Sequence, residues 1–196
     1  MVKHARESRL PFEAQPTAGD EAERLDDQRP AARDGRPGRL ERIWLKRFTS
    51  GPMDPVDAAA LDAMAGLVGN ANRSRRRQVT IIARERWSEL MRDLGARLPP
   101  STRRANLMVS GIDLQHSRGR ILRVGSARLQ INGETKPCEQ MEAAHAGLQA
   151  LMRERWGGGV FAEVIESGEI RVGDVVELLE VELPPEGGSH GLPNRK

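Results

Sequence analysis

The 196-residue chain has one cysteine, no tyrosine, three phenylalanines and three tryptophans. A single cysteine excludes an intramolecular disulfide, so nothing points to a disulfide-stapled secreted domain. No stretch approaches membrane-spanning length, and the opening Met1 to Glu7 is not followed by an unbroken apolar segment. A cytoplasmic protein with no membrane partner is the default expectation. The scarcity of aromatics removes the stacking platforms on which nucleic-acid readers rely, so no nucleic-acid partner is expected either. Histidine is sparse as well: the four stand at positions 4, 116, 145 and 190, two of them in polar tails, without zinc-like spacing. There is no Walker-type phosphate loop and no G-x-G-x-x-G after a strand. Of the four lysines only Lys46 and Lys136 fall in the expected core region, and a pyridoxal phosphate enzyme needs a Schiff-base lysine and a much larger fold.

What is present is arginine, unevenly spread. Between Asn70 and Asn106 ten arginines face three carboxylates, a net charge of +7, whereas Val160 to Glu186 carries eight carboxylates against Arg171 alone, a net charge of −7. One region attracts anions and another repels them, provided the fold does not interleave the two. Residues 1–38 and 184–196 hold few large apolar side chains among many charged residues, Pro and Gly, and read as disordered tails around one domain at 39–183.

Within that domain the pattern is strand-rich. Leu40 to Phe48 reads as a first strand, Gln78 to Ile82 as a buried one, and Ala105 to Val109 as another; Arg120 to Val124 and Ala127 to Ile131 form a hairpin across Gly125-Ser126, with a further turn signal at Asn132-Gly133. Residues 51–72 are ambiguous, since Pro52 and Pro55 break regularity while Ala-rich 56–65 suits a helix. Trp87, Leu90, Met91 and Leu94 share a helical face over 84–94, with Gly95 as its stop. A second helix after Cys138 carries Met141, His145, Leu148 and Met152 along one stripe, in which His145 reads as a packed core histidine. Gly157 to Gly159 reads as a flexible connection before Val160 to Ile165, and Val175 to Val181 is the last strand. The expected fold is mainly β with peripheral helices (α+β), a barrel with helices outside or at its end.

Cys138 lies between a strand and that second helix, in or beside the helix's first turn. Unpaired backbone N–H groups there carry partial positive charge, and Lys136 adds to it, so the position suits a thiolate acting as metal ligand, sulfur carrier or nucleophile. The competing reading is a buried cysteine packed as a small hydrophobe. A Cys-His pairing with His116 or His145 as base lacks any family-type local signature.

Taken in order, Arg77-Gln78-Val79-Thr80, Arg103 to Ile112, Lys136-Pro137-Cys138-Glu139, and Gly159 to Val164 followed by Ile170 to Asp174 resemble the MOSC domain, the family named after the C-terminal part of molybdenum cofactor sulfurases. The likeness spans roughly residues 40 to 181. It implies a MOSC-type β-barrel and makes Cys138 the family's functional cysteine. In members of the amidoxime-reducing type, that thiolate ligates molybdenum held by a pterin dithiolene, and oxygen is removed from N-hydroxylated compounds. In sulfurases the domain follows a pyridoxal phosphate cysteine desulfurase and is thought to bind the cofactor or carry sulfur.

The resemblance therefore implies a molybdenum cofactor (molybdopterin), with Cys138 as catalytic residue and metal ligand. It also implies a small-molecule substrate and a separate electron-donor protein or sulfur donor. Arg77, Arg103, Arg104 and Lys136 are the expected phosphate-facing cations. Asn106 is expected to hydrogen-bond the pterin or orient the cysteine loop. The alternatives are a sulfur carrier with a Cys138 persulfide and a non-catalytic cofactor-binding module. Arg73, Arg75 and Arg76 read as surface charge. The segment Gly66 to Asn72 has amides where many members have an acidic turn, which bears on substrate or cofactor contacts.

Overall fold

The computed structural model describes residues 37–71 and 74–179; the expected tails, except residues 37 and 38, lie outside them, as does Arg73. Eleven strands and three α-helices follow in order: β1 (Gly38–Leu45), β2 (Asp54–Val56), β3 (Ala58–Asp62), β4 (Gly66–Leu67), β5 (Val79–Ala83), α1 (Arg84–Leu94), a 3₁₀ turn (Pro100–Arg103), β6 (Leu107–Ser110), β7 (Ile121–Val124), β8 (Ala127–Glu134), α2 (Glu139–Ala144), α3 (Leu148–Met152), β9 (Val160–Glu166), β10 (Gly168–Arg171) and β11 (Val175–Leu179).

Seven strands close into a barrel in the order β11-β7-β8-β9-β5-β6-β1, sealed by pairing of β1 with β11; β2 extends β1, and β10-β3-β4 form a separate small sheet. Closure leaves the barrel without free edges. All pairings are antiparallel except β5 with β6, which α1 connects as a crossover.

Alternation places the cores. In β8, Ala127, Leu129, Ile131 and Gly133 are buried while their neighbours are more open, so one face lines the barrel interior with Leu40, Ile43, Val79, Ile81 and Leu107. Strand β5 is buried at all five positions because Ile82 faces a second core beneath the helices, with Trp44, Trp87, Leu90, Met108, Met141, Leu148 and Met152. Each such side chain removed from water contributes about 1.5–3 kcal/mol. Helix α1 ends at Gly95, whose left-handed φ of 67° lets its N–H reach the Arg92 carbonyl oxygen.

The ambiguous segment, 51–72, is decided by pairing: Ala58 to Leu61 form β3 against Arg171 to Gly168, which overrides alanine's helical preference. Three expectations need correction. Asn132-Gly133 is no turn: β8 runs through it to Glu134 with a register shift between Ile131 and Gly133. The helix after Cys138 breaks at Gly147, whose φ is 83°, so His145 leaves the apolar stripe half-buried, its Nδ1 2.9 Å from the Ala146 carbonyl oxygen. Finally, Gly157 to Gly159 is buried and tightly packed. A Cβ on Gly158 would stand 1.8 Å from the Thr135 carbonyl oxygen, and one on Gly159 2.1 Å from that of Ile81.

Candidate functional site

Cys138 sits four residues beyond β8. Thr135 N–H donates to the Gly159 carbonyl oxygen at 2.8 Å, and Pro137 is buried, so the loop is anchored immediately before the thiol. The thiol itself is exposed at the N-cap of α2. With only six residues, α2 contributes little dipole, and positive charge must come from side chains.

Those cations come from three loops. The registers of β1, β5 and β6 put the end of β1 and the starts of β5 and β6 at one end of the barrel, and Lys46, Arg77 and Arg104 leave from that end. Their charges act on each other. Burial lowers the Lys46 pKa below its ordinary 10.5, and the positive charges of Arg104 and Arg77 push the same way. Arg104 adopts a left-handed φ of 58° and donates from Nη2 to the Gly51 carbonyl oxygen at 2.7 Å; Arg77 is exposed, its guanidinium 5.9 Å from the centre of the Phe161 ring.

Arg103 faces inward. Its Nε and Nη2 donate to the Gly158 carbonyl oxygen at 2.9 and 2.5 Å, and the residue is only 7% exposed. Burial lowers its pKa to about 10, Arg77 adds to the lowering, and the Cys138 charge opposes it. Among the described residues no carboxylate forms a salt bridge with Arg77, Arg103 or Arg104, whereas Lys136 is paired with Glu134. The structure therefore joins Arg77, Arg103 and Cys138 electrostatically, and Arg77 with Lys46 and Arg104. Lys136 is already neutralised by its partner.

Asn106 is placed differently from either role the resemblance implies. It is 3% exposed; its Oδ1 accepts from Thr80 N–H and Oγ1 at 3.1 and 3.0 Å, and its Nδ2 donates to the Trp44 carbonyl oxygen and Asn70 Oδ1 at 3.3 and 3.1 Å. All four of its hydrogen-bonding positions are used, which leaves none for a ligand, and none of the partners belongs to the cysteine loop. Asn70 was not singled out by the sequence beyond its place in the amide-rich segment. Its Oδ1 also accepts from Lys46 N–H at 2.8 Å, tying the loop after β4 to the end of β1. Arg75 and Arg76 are exposed, as expected of surface charge.

Beside α2 lies an open depression of about 440 Å³ lined by Pro52, Met53, Ser101, Thr102, Arg104 and Gln140, together with Met141 and Ala144. No group of three or more His, Cys, Asp or Glu side chains is placed to hold a metal among the described residues.

Residues 62–177 match the family model for the MOSC domain. The chain belongs to the MOSC domain family. Its fold is shared with solved structures of low identity. The YuaD protein from Bacillus subtilis aligns with a TM-score of 0.64 at 21% identity, covering 73% of this chain and 96% of that one. YiiM from Geobacillus stearothermophilus aligns with a TM-score of 0.60 at 17% identity, covering 74% and 76%. YiiM from Escherichia coli gives 0.55 at 21%, covering 72% and 70%. No curated protein matches. Among the described residues, no helix is long and apolar enough to cross a membrane.

Proposed function

We propose that the chain binds a molybdenum cofactor, with Cys138 Sγ as the protein's ligand to the metal, and that it removes oxygen from N-hydroxylated compounds. The observation that carries this reading is the exposed thiol whose charge acts on Arg103, itself coupled to Arg77, neither arginine having a carboxylate salt-bridge partner among the described residues. This donor set suits an anionic, phosphate-bearing group that brings its own additional metal ligands. Such a group, when bound, supplies the oxygen-accepting metal and its redox capacity.

The chain's own residues supply position and charge. Arg77 and Arg104, with Lys46 beside them, would hold the phosphate, since planar guanidinium groups give several donors to one anion. Arg103 would act differently: its Nε and one Nη2 donor are spent on Gly158, so it holds the glycine turn and lends fixed charge to the thiolate. A small substrate would enter from the open side of α2. Electrons would come from a separate donor protein, because the chain shows no flavin, haem or iron–sulfur motif.

Metal and pterin analysis of the full chain, purified from cells making molybdopterin, tests this. The expected result is near-stoichiometric molybdenum and pterin, with molybdenum lost or strongly reduced in Cys138→Ala. Neither group in the wild-type protein would overturn the reading. The thiol's exposure also favours a second reading, a sulfur carrier with a Cys138 persulfide, because transfer to another protein requires an accessible sulfur. Mass spectrometry showing one added sulfur on Cys138 without bound molybdenum would select it.

A further inference from the structure

A second cleft, of about 560 Å³, opens where β5 and β6 end and β9 begins, at the opposite end of those strands from Lys46, Arg77 and Arg104. Its size is that of a small-molecule site. It is not an anion trap. The arginines of its α1 wall have carboxylate neighbours: Arg84 pairs with buried Glu41 and with Glu85, Arg86 with Glu89, which Arg155 also approaches at 3.5 Å, and Arg92 lies 4.0 Å from Asp93. The facing wall carries an apolar patch, half-buried Trp156 and Ile112 over buried Leu114, bordered by Asp113 and Gln115.

That wall is held under strain. Of the four non-glycine residues with positive φ among the described residues, Arg155 (45°) and Trp156 (55°) line the cleft, and His116 (58°) stacks edge-on to Trp156 with ring centres 5.7 Å apart. Bulky side chains rarely adopt this conformation, and it persists where the surroundings enforce it, characteristically at ligand sites. The wall continues into Gly157 and Gly159, which also line the cleft, on either side of the Gly158 carbonyl that anchors Arg103.

We propose that this cleft binds a small zwitterion with a large apolar body, of the chemical class of a free aromatic or aliphatic α-amino acid. The apolar side chain lies against Trp156 and Leu114, and the head group's two opposite charges meet the alternating guanidinium and carboxylate groups of α1. The lining mixes both signs, Arg84, Arg86, Arg92 and Arg155 with Glu85, Glu89 and Asp113, so each end of a zwitterion finds an opposite charge while an ion of either sign meets repulsion together with attraction.

Isothermal titration calorimetry of the full chain with L-phenylalanine, its amide and its N-acetyl derivative tests this. The zwitterion is expected to bind at least about fivefold more tightly than either singly charged form. Trp156→Gly keeps a residue that tolerates the left-handed backbone yet removes the ring, and is expected to weaken binding about tenfold or more, while Trp156→Phe stays within about threefold of wild type. No binding at millimolar phenylalanine overturns the proposal. So does equal or tighter binding of the N-acetyl anion, or wild-type affinity in a folded Trp156→Gly. The measurement needs no molybdenum, so its outcome is independent of the function proposed for Cys138.

Discussion

Asn106 and Arg103 show how a polar side chain at the edge of a site can serve the scaffold with the same atoms that would serve a ligand. Asn106 joins β1, β5 and the loop after β4 through a single amide, so Asn106→Ala strands Thr80 and the Trp44 carbonyl in a dry core. The four lost buried hydrogen bonds give an expected destabilisation of about 4 kcal/mol, measurable by urea unfolding. Lys46 makes a different test. Its pKa is lowered in the folded chain, so between that lowered value and the ordinary 10.5 the unfolded chain binds more protons, and stability rises with pH. Unfolding midpoints followed from neutral pH to 10.5 should show this rise in the wild type and a shallower one in Lys46→Met. An equal slope in the two would show that burial and the Arg104 and Arg77 charges do not disfavour the Lys46 ammonium in the folded chain.

At the level of elements, the glycine turn between α3 and β9 is the structural link between the barrel and the cysteine loop. Gly158→Ala forces a methyl group against the Thr135 carbonyl three residues before Cys138, with an expected cost of about 3 kcal/mol and a displaced Arg103. Gly95→Ala meets open space and loses only the ease of its left-handed cap, about 1 kcal/mol. Thermal or urea unfolding of the two variants distinguishes a packing constraint from a backbone preference. Strands β7 and β8 were legible from the sequence because their burial alternates, β5 because it is a short apolar, β-branched run, and α1 because its buried residues recur every three to four positions before Gly95. Residues 56–65 were not, because alanine packs into either element and only the distant partner β10 decides. The break at Gly147 was hidden because Met141, Leu148 and Met152 reach one apolar core from two short helices as readily as from one long helix. The glycine triplet's packing against Thr135 and Ile81 is a tertiary fact with no local signature.

For the molecule as a whole, the asymmetry of charge along the chain becomes an asymmetry in space. Arg77, Arg103 and Arg104 leave the loops before β5 and β6, while the carboxylates of β9 and β11 lie on other barrel strands and that of β10 on the small sheet, Arg123 with Glu177 and Arg128 with Glu166 being paired between neighbouring strands. The barrel was read from the sequence; that Arg103 is buried on the Gly158 carbonyl while Arg77 stays exposed required the fold. The most direct test of the account is the sulfur count around molybdenum, read by X-ray absorption at the molybdenum edge in wild-type protein and in Cys138→Ser. The expected result is one sulfur neighbour fewer in the variant; an unchanged sulfur shell, or wild-type protein that takes up no molybdenum, would contradict the assignment of Cys138 as the metal's ligand.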